Sequence, residues 1–196
     1  MSNTLTNIYT AEPLVTGVCF VAPMGSLAPT TASTAIDVAY VDLGYTGAEG
    51  FNEKNDRKID LKRSFGGKVV KTLQSEYSAS LEFTLMESIN ADVLGAVFGS
   101  ANVTVTPATS LHGTQVKVLK NSRKLPHQAW MIDTWDDELG AKYRNYVYDG
   151  QIITVADIKV VHTDTIEYKV TVECFESPAG LDNIITFTDD NVMLGS

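Results

Sequence analysis

The chain has 196 residues, 44% of them hydrophobic, which is enough for one domain with a sizeable core. Fifteen basic against 24 acidic residues give a formal net charge of −9, which argues against binding to a nucleic-acid backbone. Cys19 and Cys174 lie in apolar runs and are expected to be small buried hydrophobes in a reducing compartment. No apolar run is long enough to span a membrane, and the first residues show no secretory-signal pattern.

The first third of the chain predicts an arm, two strands and a long loop. Residues 1–13 are polar and rich in Thr and Asn, which predicts an N-terminal arm without a core of its own. Residues 15–22 and 36–43 are the first predicted strands. Residues 44–58 are rich in glycine and charge, which predicts a loop, and loops of this length inside a compact domain are usually functional or disordered.

The stretch from Lys68 to Gly99 has the clearest periodicity in the chain. Gly66-Gly67 predicts a tight hairpin turn into a strand that begins at Val69. Between residues 77 and 85, apolar and polar side chains alternate, which indicates a strand with one buried and one solvated face.

The period then changes to that of a helix at about residues 88–99. Ser88 is the predicted N-cap, Asp92 lies near the positive end, and Gly99 is expected to end the helix. Ile89, Val93 and Val97 recur at four-residue spacing. We expect this helix to cover the open face of a sheet built from the rest of the chain.

Most of the remaining chain is predicted to be strand. The predicted strands cover residues 102–106, 115–120, 128–135, 142–148, 152–161 and 165–175. Asp149-Gly150 predicts a hairpin turn between two of them. The tail places Ile184, Ile185 and Phe187 in a polar setting, which predicts a C-terminal arm that docks on another surface. Many strands and one helix predict a mainly β fold, a β-sandwich or barrel-like domain at residues 14–176 with arms at 1–13 and 177–196.

The search for catalytic or metal-binding motifs is negative, so the chain is not expected to be an enzyme or to carry a cofactor. The three histidines are scattered, without the spacing of a zinc site. Gly44, Gly47 and Gly50 form a glycine pattern that no helix follows, so the dinucleotide interpretation fails. The acidic residues 136–138 could hold a cation, although a solvated turn is favoured. A single β domain with two arms and a long loop indicates assembly with neighbouring chains.

A long segment of the chain resembles the major tail protein, or tail tube protein, of long-tailed bacteriophages, especially those infecting actinobacteria. The matching features begin with the strand end at Asp42–Tyr45 and the charged loop after it. The strand at 58–63, the turn Phe65-Gly66-Gly67 and the stretch 74–77 leading into an alternating strand and a helix follow in the same order. The order of these elements covers most of the chain.

This resemblance implies a β-sandwich flanked by a helix, six-membered rings that stack into a hollow tube, and a structural role in the virion. The tube surrounds a tape-measure protein and later conducts DNA into the host cell, without specific binding to the DNA. The protein is then made in the bacterial cytoplasm and ends in the phage tail. Arms and the long loop are expected to bridge rings.

The resemblance also suggests which residues serve assembly. An acidic lumen would repel phosphates, and the candidates for lumen-facing residues are Glu82, Glu167 and Glu173. The candidates for ring stacking in the long loop are Tyr45, Glu49, Phe51, Lys54 and Arg57. The candidates for docking of the C-terminal arm are Ile184, Ile185 and Phe187.

Two alternatives stay open at this point. A virion protein of related fold, such as a head–tail completion, tail terminator or spike base protein, would form a closed ring that does not stack. A small-ligand β-barrel binder would be a monomer with a large apolar cavity.

Overall fold

The computed structural model describes residues 7–14, 17–180 and 182–193. Strands make up most of the regular structure in these residues, with one α-helix, α1 (Ala91–Phe98), and a short 3-10 turn at Ser100–Asn102. The strands in chain order are β1 (Glu12–Pro13), β2 (Cys19–Pro23), β3 (Val41–Asp42), β4 (Asn52–Arg63), β5 (Val69–Leu85), β6 (Val103–Thr106), β7 (Gln115–Val118), β8 (Gln128–Trp135), β9 (Lys142–Val155), β10 (Tyr168–Phe175) and β11 (Ile185–Asp189).

Nine strands form one antiparallel sheet in the order β3-β2-β8-β9-β10-β5-β4, and β6 and β7 form a separate hairpin. The two strands outside this order, β1 and β11, pair with β8 and β9 respectively. The long strand β9 has two halves with different neighbours. Its first half lies between β8 and β11, whereas its second half pairs with β10.

The main core lies between the two ends of this sheet, where the faces of β2 and β8 meet those of β5 and β10. The rings of Phe83 on β5 and Trp130 on β8 meet edge to face, with centroids 5.8 Å apart. Helix α1 closes the core by burying Val93, Leu94 and Val97 in it. The fold is therefore mainly β with one flanking helix, as the periodicity predicts.

A second, smaller core covers the opposite face of β2, β8 and β9. It is formed by Phe20, Met131 and Tyr146, and it is covered by Ile36 and Tyr40 of the segment between β2 and β3 and by strand β11. The sheet is thus buried on both faces in this region. That explains why strand β8 is buried along its whole length except at its two end residues.

The helix begins later than predicted, and its N-cap is Asn90 instead of Ser88. Asn90 Oδ1 accepts a hydrogen bond from the Asp92 amide at 2.9 Å, whereas the Ser88 amide donates to the Met86 carbonyl in the turn before the helix. Asp92 lies in the first turn and Gly99, with a φ of 87°, follows the last residue, both as predicted.

Two predictions in the first third of the chain are wrong. The predicted strand at 36–43 is reduced to Val41–Asp42, because Asp37 forms a turn in which its carboxylate accepts the Ala39 amide at 2.9 Å. The predicted loop at 44–58 ends at Phe51, since Asn52 begins strand β4. The charged residues from Glu53 to Lys58 belong to a strand because each pairs with a residue of β5 at the edge of the sheet.

The predicted turn at Asp149-Gly150 is also wrong, because β9 runs without a break from Lys142 to Val155. A side chain at position 150 would lie 2.6 Å from Trp130 Cδ1 and 2.9 Å from Val172 Cγ1. Glycine is therefore needed for the close approach of two core side chains to the strand, and not for a turn. The strand predicted at 152–161 ends at Val155.

Parts of both predicted arms lie on the sheet of their own chain. Tyr9 Oη donates to Thr134 Oγ1 at 2.9 Å, and the Thr10 amide donates to Asp136 Oδ2 at 2.8 Å. Strand β1 then pairs with the end of β8. At the other end of the chain, β11 pairs with β9 at five positions, from Ile185 opposite Tyr146 to Asp189 opposite Lys142.

Candidate assembly surfaces

Strands β4 and β5 extend beyond the core as a long two-stranded ribbon, which we define as residues 52–78. Each residue from 52 to 72 is exposed. The ribbon turns at residues 64–68, where the Ser64 amide donates to the Lys68 carbonyl and the Gly67 amide to the Ser64 carbonyl, both at 2.8 Å. Gly67 has a φ of 81°, so the predicted glycine turn is confirmed. Within the described residues, β4 is the last strand of the sheet order, so its outer edge is unpaired.

The ribbon carries large apolar side chains in water. Phe65 at its tip is 112% exposed, and Ile59 and Leu61 are about half exposed. Val69 and Val70 add to this apolar surface on the opposite strand. A ribbon of two strands is at best marginally stable in water by itself, and exposed apolar side chains cluster at sites of protein contact.

The ribbon is also the most basic part of an acidic chain. Six of the fifteen basic residues lie between positions 57 and 71, together with one acidic residue, Asp60. Arg57 lies over the Tyr77 ring at 4.6 Å, and Lys58 pairs with Glu76 at 3.0 Å. The other four, at the end of the ribbon, form no ion pair within the described residues: Lys62, Arg63, Lys68 and Lys71.

The candidate ring-stacking residues are divided between a loop and the ribbon. Tyr45 and Glu49 lie exposed in the loop before β4, and Phe51 packs on Phe83 with ring centroids 5.3 Å apart. Lys54 and Arg57 lie on β4. Phe51 therefore serves the core of its own chain, whereas Tyr45 remains available to another chain.

Glu82, one of the candidate lumen residues, lies in a charge cluster with one of the candidate stacking residues. Its carboxylate is 2.7 Å from Lys169 Nζ and 2.8 Å from Lys54 Nζ. Hydrogen bonds from Lys169 and then Lys54 lower the pKa of Glu82 to about 2, and the same contact raises the pKa of Lys169. Glu49 extends the cluster, with its carboxylate 3.9 Å from Lys169 Nζ. The negative charge of Glu82 is thus balanced within the chain.

The other two candidate lumen residues, Glu167 and Glu173, form no ion pair within the described residues. Glu173 is on β10, opposite Ser80 of β5 and Gln151 of β9. It lies two positions along the strand from Thr171, which is opposite Glu82. Glu167 lies just before β10 and accepts a hydrogen bond from Thr165 Oγ1 at 2.9 Å. The structure therefore brings Glu82 and Glu173 to the same polar face of the sheet.

A groove of about 890 Å³ lies beside the start of β4, and we name it the acidic groove. Its walls come from the N-terminal segment, the loop before β4, and strands β8 and β9. Its apolar lining includes Leu14, Tyr45, Ala48, Phe51 and Ile132, and its carboxylates are those of Glu12, Asp42, Glu53 and Glu87. No lysine or arginine is among the described residues that line it.

Two of these carboxylates hold the loop that forms one wall of the acidic groove. Asp42 Oδ1 accepts the Gly44 amide at 3.0 Å, and Glu87 Oε1 accepts the Tyr45 amide at 3.2 Å. Glu53 instead accepts Asn145 Nδ2 at 3.1 Å across the groove. The groove is therefore a built feature of the fold with a net negative lining.

The candidate docking residues of the C-terminal arm pack on their own chain. Ile184 packs against the main core, and Ile185 and Phe187 pack against the second core beside Tyr146. Each is only partly buried. In this chain the arm thus covers apolar surface that is its own.

The predicted burial of the cysteines is confirmed, because Cys19 and Cys174 are free and buried. Burial raises the pKa of both thiols, that of Cys174 to about 12. Asp136 in the acidic turn accepts the amides of Thr10, Glu138 and Leu139, so it organises the turn. Among the described residues, no three His, Cys, Asp or Glu side chains come together as metal ligands, and no helix is long and apolar enough to cross a membrane.

The main feature that the sequence reasoning missed is the first half of β4, residues 52–58. Polar and charged residues lie on both faces there, so alternation is absent and the segment is predicted as a loop, whereas the strand at 58–63 and the glycine turn after it are predicted correctly. The crowding of basic residues at 57–71 in a chain with a net charge of −9 was an available signal. The acidic groove had no such signal, because its lining comes from five separated parts of the chain.

The comparisons with known proteins gave one family match and structural neighbours of low similarity. A family model described as phage tail tube protein matches residues 7–193. Among solved structures, the tube-terminating cap of the anti-feeding prophage matches with 10% identity and a TM-score of 0.42, covering 96% of this chain and 100% of that one. A chain of the sheath-tube complex of an extracellular contractile injection system matches with 10% identity and a TM-score of 0.40, covering 94% of this chain and 98% of that one. No curated protein sequence matches the chain.

Proposed function

The chain belongs to the phage tail tube protein family, and from this premise we propose that it assembles into six-membered rings that stack into the tail tube. It is a structural protein of the phage tail. The tube would enclose a tape-measure protein during assembly and conduct DNA into the host cell. The observation that carries this proposal is the exposed ribbon of β4 and β5.

The ribbon has the properties of an element that is completed by another copy of the chain. Its outer edge has backbone donors and acceptors that no described strand pairs with, and a strand of a neighbouring copy can pair with them. Its exposed apolar side chains, with Phe65 at the tip, would lose their contact with water on assembly. Pairing of the ribbon around a ring would leave no open edge, as in a closed barrel.

A chain that contacts its neighbour through two different surfaces forms rings when the rotation closes, and stacked rings need a further interface. The loop residues Tyr45 and Glu49 are exposed and remain our candidates for that stacking contact. Lys54 and Arg57 remain candidates as part of the ribbon. Phe51 would contribute indirectly, because its packing on Phe83 positions the loop that carries the stacking contact.

An acidic lumen would let DNA pass without adhesion, because like charges repel and no counterion release rewards contact. The net charge of −9 supports this proposal. Glu167 and Glu173 are the stronger candidates for the lumen, because Glu82 is neutralised by Lys54 and Lys169.

Removal of the ribbon tip tests the proposal. Ile59 and Gln74 lie opposite each other, so residues 60–73 can be replaced by an Asn-Gly turn that closes a shorter hairpin. The removed residues other than Leu73 are exposed, so the variant should keep the thermal unfolding of the core. We expect the wild-type protein to form stacked rings or tubes in negative-stain images at high concentration, and the variant to stay monomeric.

The images also separate the alternatives. Closed rings of the wild-type protein that never stack would favour a head–tail completion or terminator role. A wild-type protein that stays monomeric at every salt and protein concentration, or a shortened variant that still forms tubes, would contradict the proposal.

A further inference from the structure

The end of the ribbon and the acidic groove are complementary in charge and in polarity. The ribbon end presents Phe65 together with four basic residues that form no ion pair in the described chain. The acidic groove presents an apolar lining, which we call its floor, together with four carboxylates and no basic residue among its described lining. If the two surfaces met, the apolar side chains of one would be buried against those of the other, and their opposite charges would pair.

A chain cannot bring its own ribbon tip into its own acidic groove. Glu53 lines the groove at the start of β4, and Phe65 follows twelve residues later, in the turn just beyond the far end of the same extended strand. At about 3.3 Å per residue, the two positions are separated by roughly 40 Å, less a little at the two bulges. Whatever fills the groove in this way must therefore be the ribbon of another copy.

We propose that the ribbon tip of one copy docks into the acidic groove of the next, with Phe65 on the apolar floor and Lys62 and Lys68 beside Glu12 and Glu53. This contact rests on the self-assembly proposed above and assigns its two surfaces. Because the tip and the groove are different patches, the contact is head to tail and repeats from copy to copy. The basic residues also steer the tip, because opposite potentials raise the rate of encounter and exclude other registers.

Reciprocal charge reversal tests this contact. The tip-reversed variant carries Lys62→Glu and Lys68→Glu, and the groove-reversed variant carries Glu12→Lys and Glu53→Lys. Asp42 and Glu87 are left unchanged because they hold the groove loop. The control, Lys117→Glu with Lys124→Glu, makes the same charge change as the tip reversal on exposed residues outside the ribbon.

We expect each reversed variant alone to need at least about tenfold more protein to assemble, because the reversed side chains then face side chains of the same charge at the paired positions. An equimolar mixture of the two should assemble as the wild type does, since reversed tips can dock in reversed grooves and unchanged tips in unchanged grooves. The control should behave as the wild type. Circular dichroism and thermal unfolding of each variant establish that the monomers are folded.

Cross-linking gives a second measurement. Gly66→Cys, which keeps Phe65 and has open space around the new side chain, combined with Ala48→Cys in the groove should yield a ladder of linked copies with a short bis-maleimide, while Leu111→Cys with Ala48→Cys should not. Because the native cysteines are buried, only the introduced cysteines are expected to react with the maleimide.

The outcomes distinguish the two proposals. If the wild type assembles and the reversed variants assemble equally well, or if the mixture fails to recover, the contact between tip and groove is wrong and the tube proposal stands. If the tip cysteine forms no link to another copy of the chain but is protected from the maleimide by DNA or another polyanion, the contact between tip and groove is likewise wrong. If the wild type never assembles, the tube proposal itself fails.

Discussion

Arg144 on β9 and Asp133 on β8 lie opposite each other and form a buried ion pair, with Nη2 of Arg144 2.6 Å from Oδ2 of Asp133. Both side chains are 4% exposed. The Nη1 atom of Arg144 also donates to the carbonyl oxygens of Thr31 and Thr34, at 3.2 and 2.7 Å. The pair therefore fastens the segment between β2 and β3 over the second core.

Removal of one member of this pair should destabilise the protein strongly. Arg144→Met leaves the Asp133 carboxylate buried without its partner, and we expect a loss of about 3–5 kcal/mol in the free energy of unfolding. The double variant Arg144→Met with Asp133→Leu should recover most of the loss, because no uncompensated charge remains. Urea unfolding of the single and double variants measures the coupling, and equal losses in both would contradict the explanation.

The charge cluster at Glu82 predicts a pH dependence. The folded-state pKa of Glu82 lies at about 2, below its ordinary value of 4.5, so its stabilising contribution is present above pH 4.5 and is lost as the pH falls toward 2. Glu82→Gln should therefore lower the urea midpoint near neutral pH, and the difference from wild type should vanish at about pH 2. Glu167→Gln is the control, because Glu167 forms no ion pair with a described lysine, and it should show little difference at either pH.

Asn90, and not Ser88, should be the residue whose side chain stabilises the start of the helix. Asn90→Ala removes the acceptor for the Asp92 amide and should lower the free energy of unfolding by about 1 kcal/mol. Ser88→Ala, at the position predicted from the sequence, should change it by less than half as much, because the Ser88 contacts are made by its backbone. Denaturant unfolding of the two variants compares them, and a larger loss in Ser88→Ala would overturn the assignment.

Gly150 is expected to resist substitution. Gly150→Ala places a methyl group against Trp130 and Val172 in the main core, and we expect a loss of about 1–3 kcal/mol from overpacking. Gly113→Ala is the matched control, since nothing lies within 4 Å of a side chain at that position. Thermal unfolding compares the two, and a stable Gly150→Ala protein would show that the strand shifts easily.

The C-terminal strand is expected to support the fold as well as the assembly. Phe187 is partly buried on the second core, so Phe187→Ala should cost roughly 1–3 kcal/mol, less than a fully buried phenylalanine. Thr188→Ala, on the exposed side of the same strand, is the control. Removal of residues 181–196 should leave the main core folded at a lower melting temperature and impair tube formation. A truncated protein that assembles normally would contradict the role of this segment.

Some elements of this protein could be predicted because the type of each side chain follows from whether its position is buried or exposed. The alternation at 77–85 has one face in the core and one in water, and the structure keeps that division. Gly67 and Gly99 have positive φ, so a turn and a helix end could be predicted at these positions. The order of such elements also carried the resemblance that the family match bears out.

The sequence by itself thus determined the β class, the flanking helix and the family, because burial on one face leaves a periodic pattern of residue types. Only the tertiary structure decided that residues 52–58 form a strand, because backbone pairing holds an exposed ribbon and leaves no pattern in its side chains. The role of Gly150 was decided by Trp130 and Val172, which approach it from other strands. The acidic groove could not be predicted either, because a local sequence pattern does not show which remote segments lie close together. The tertiary structure brings its four carboxylates together: Glu12, Asp42, Glu53 and Glu87.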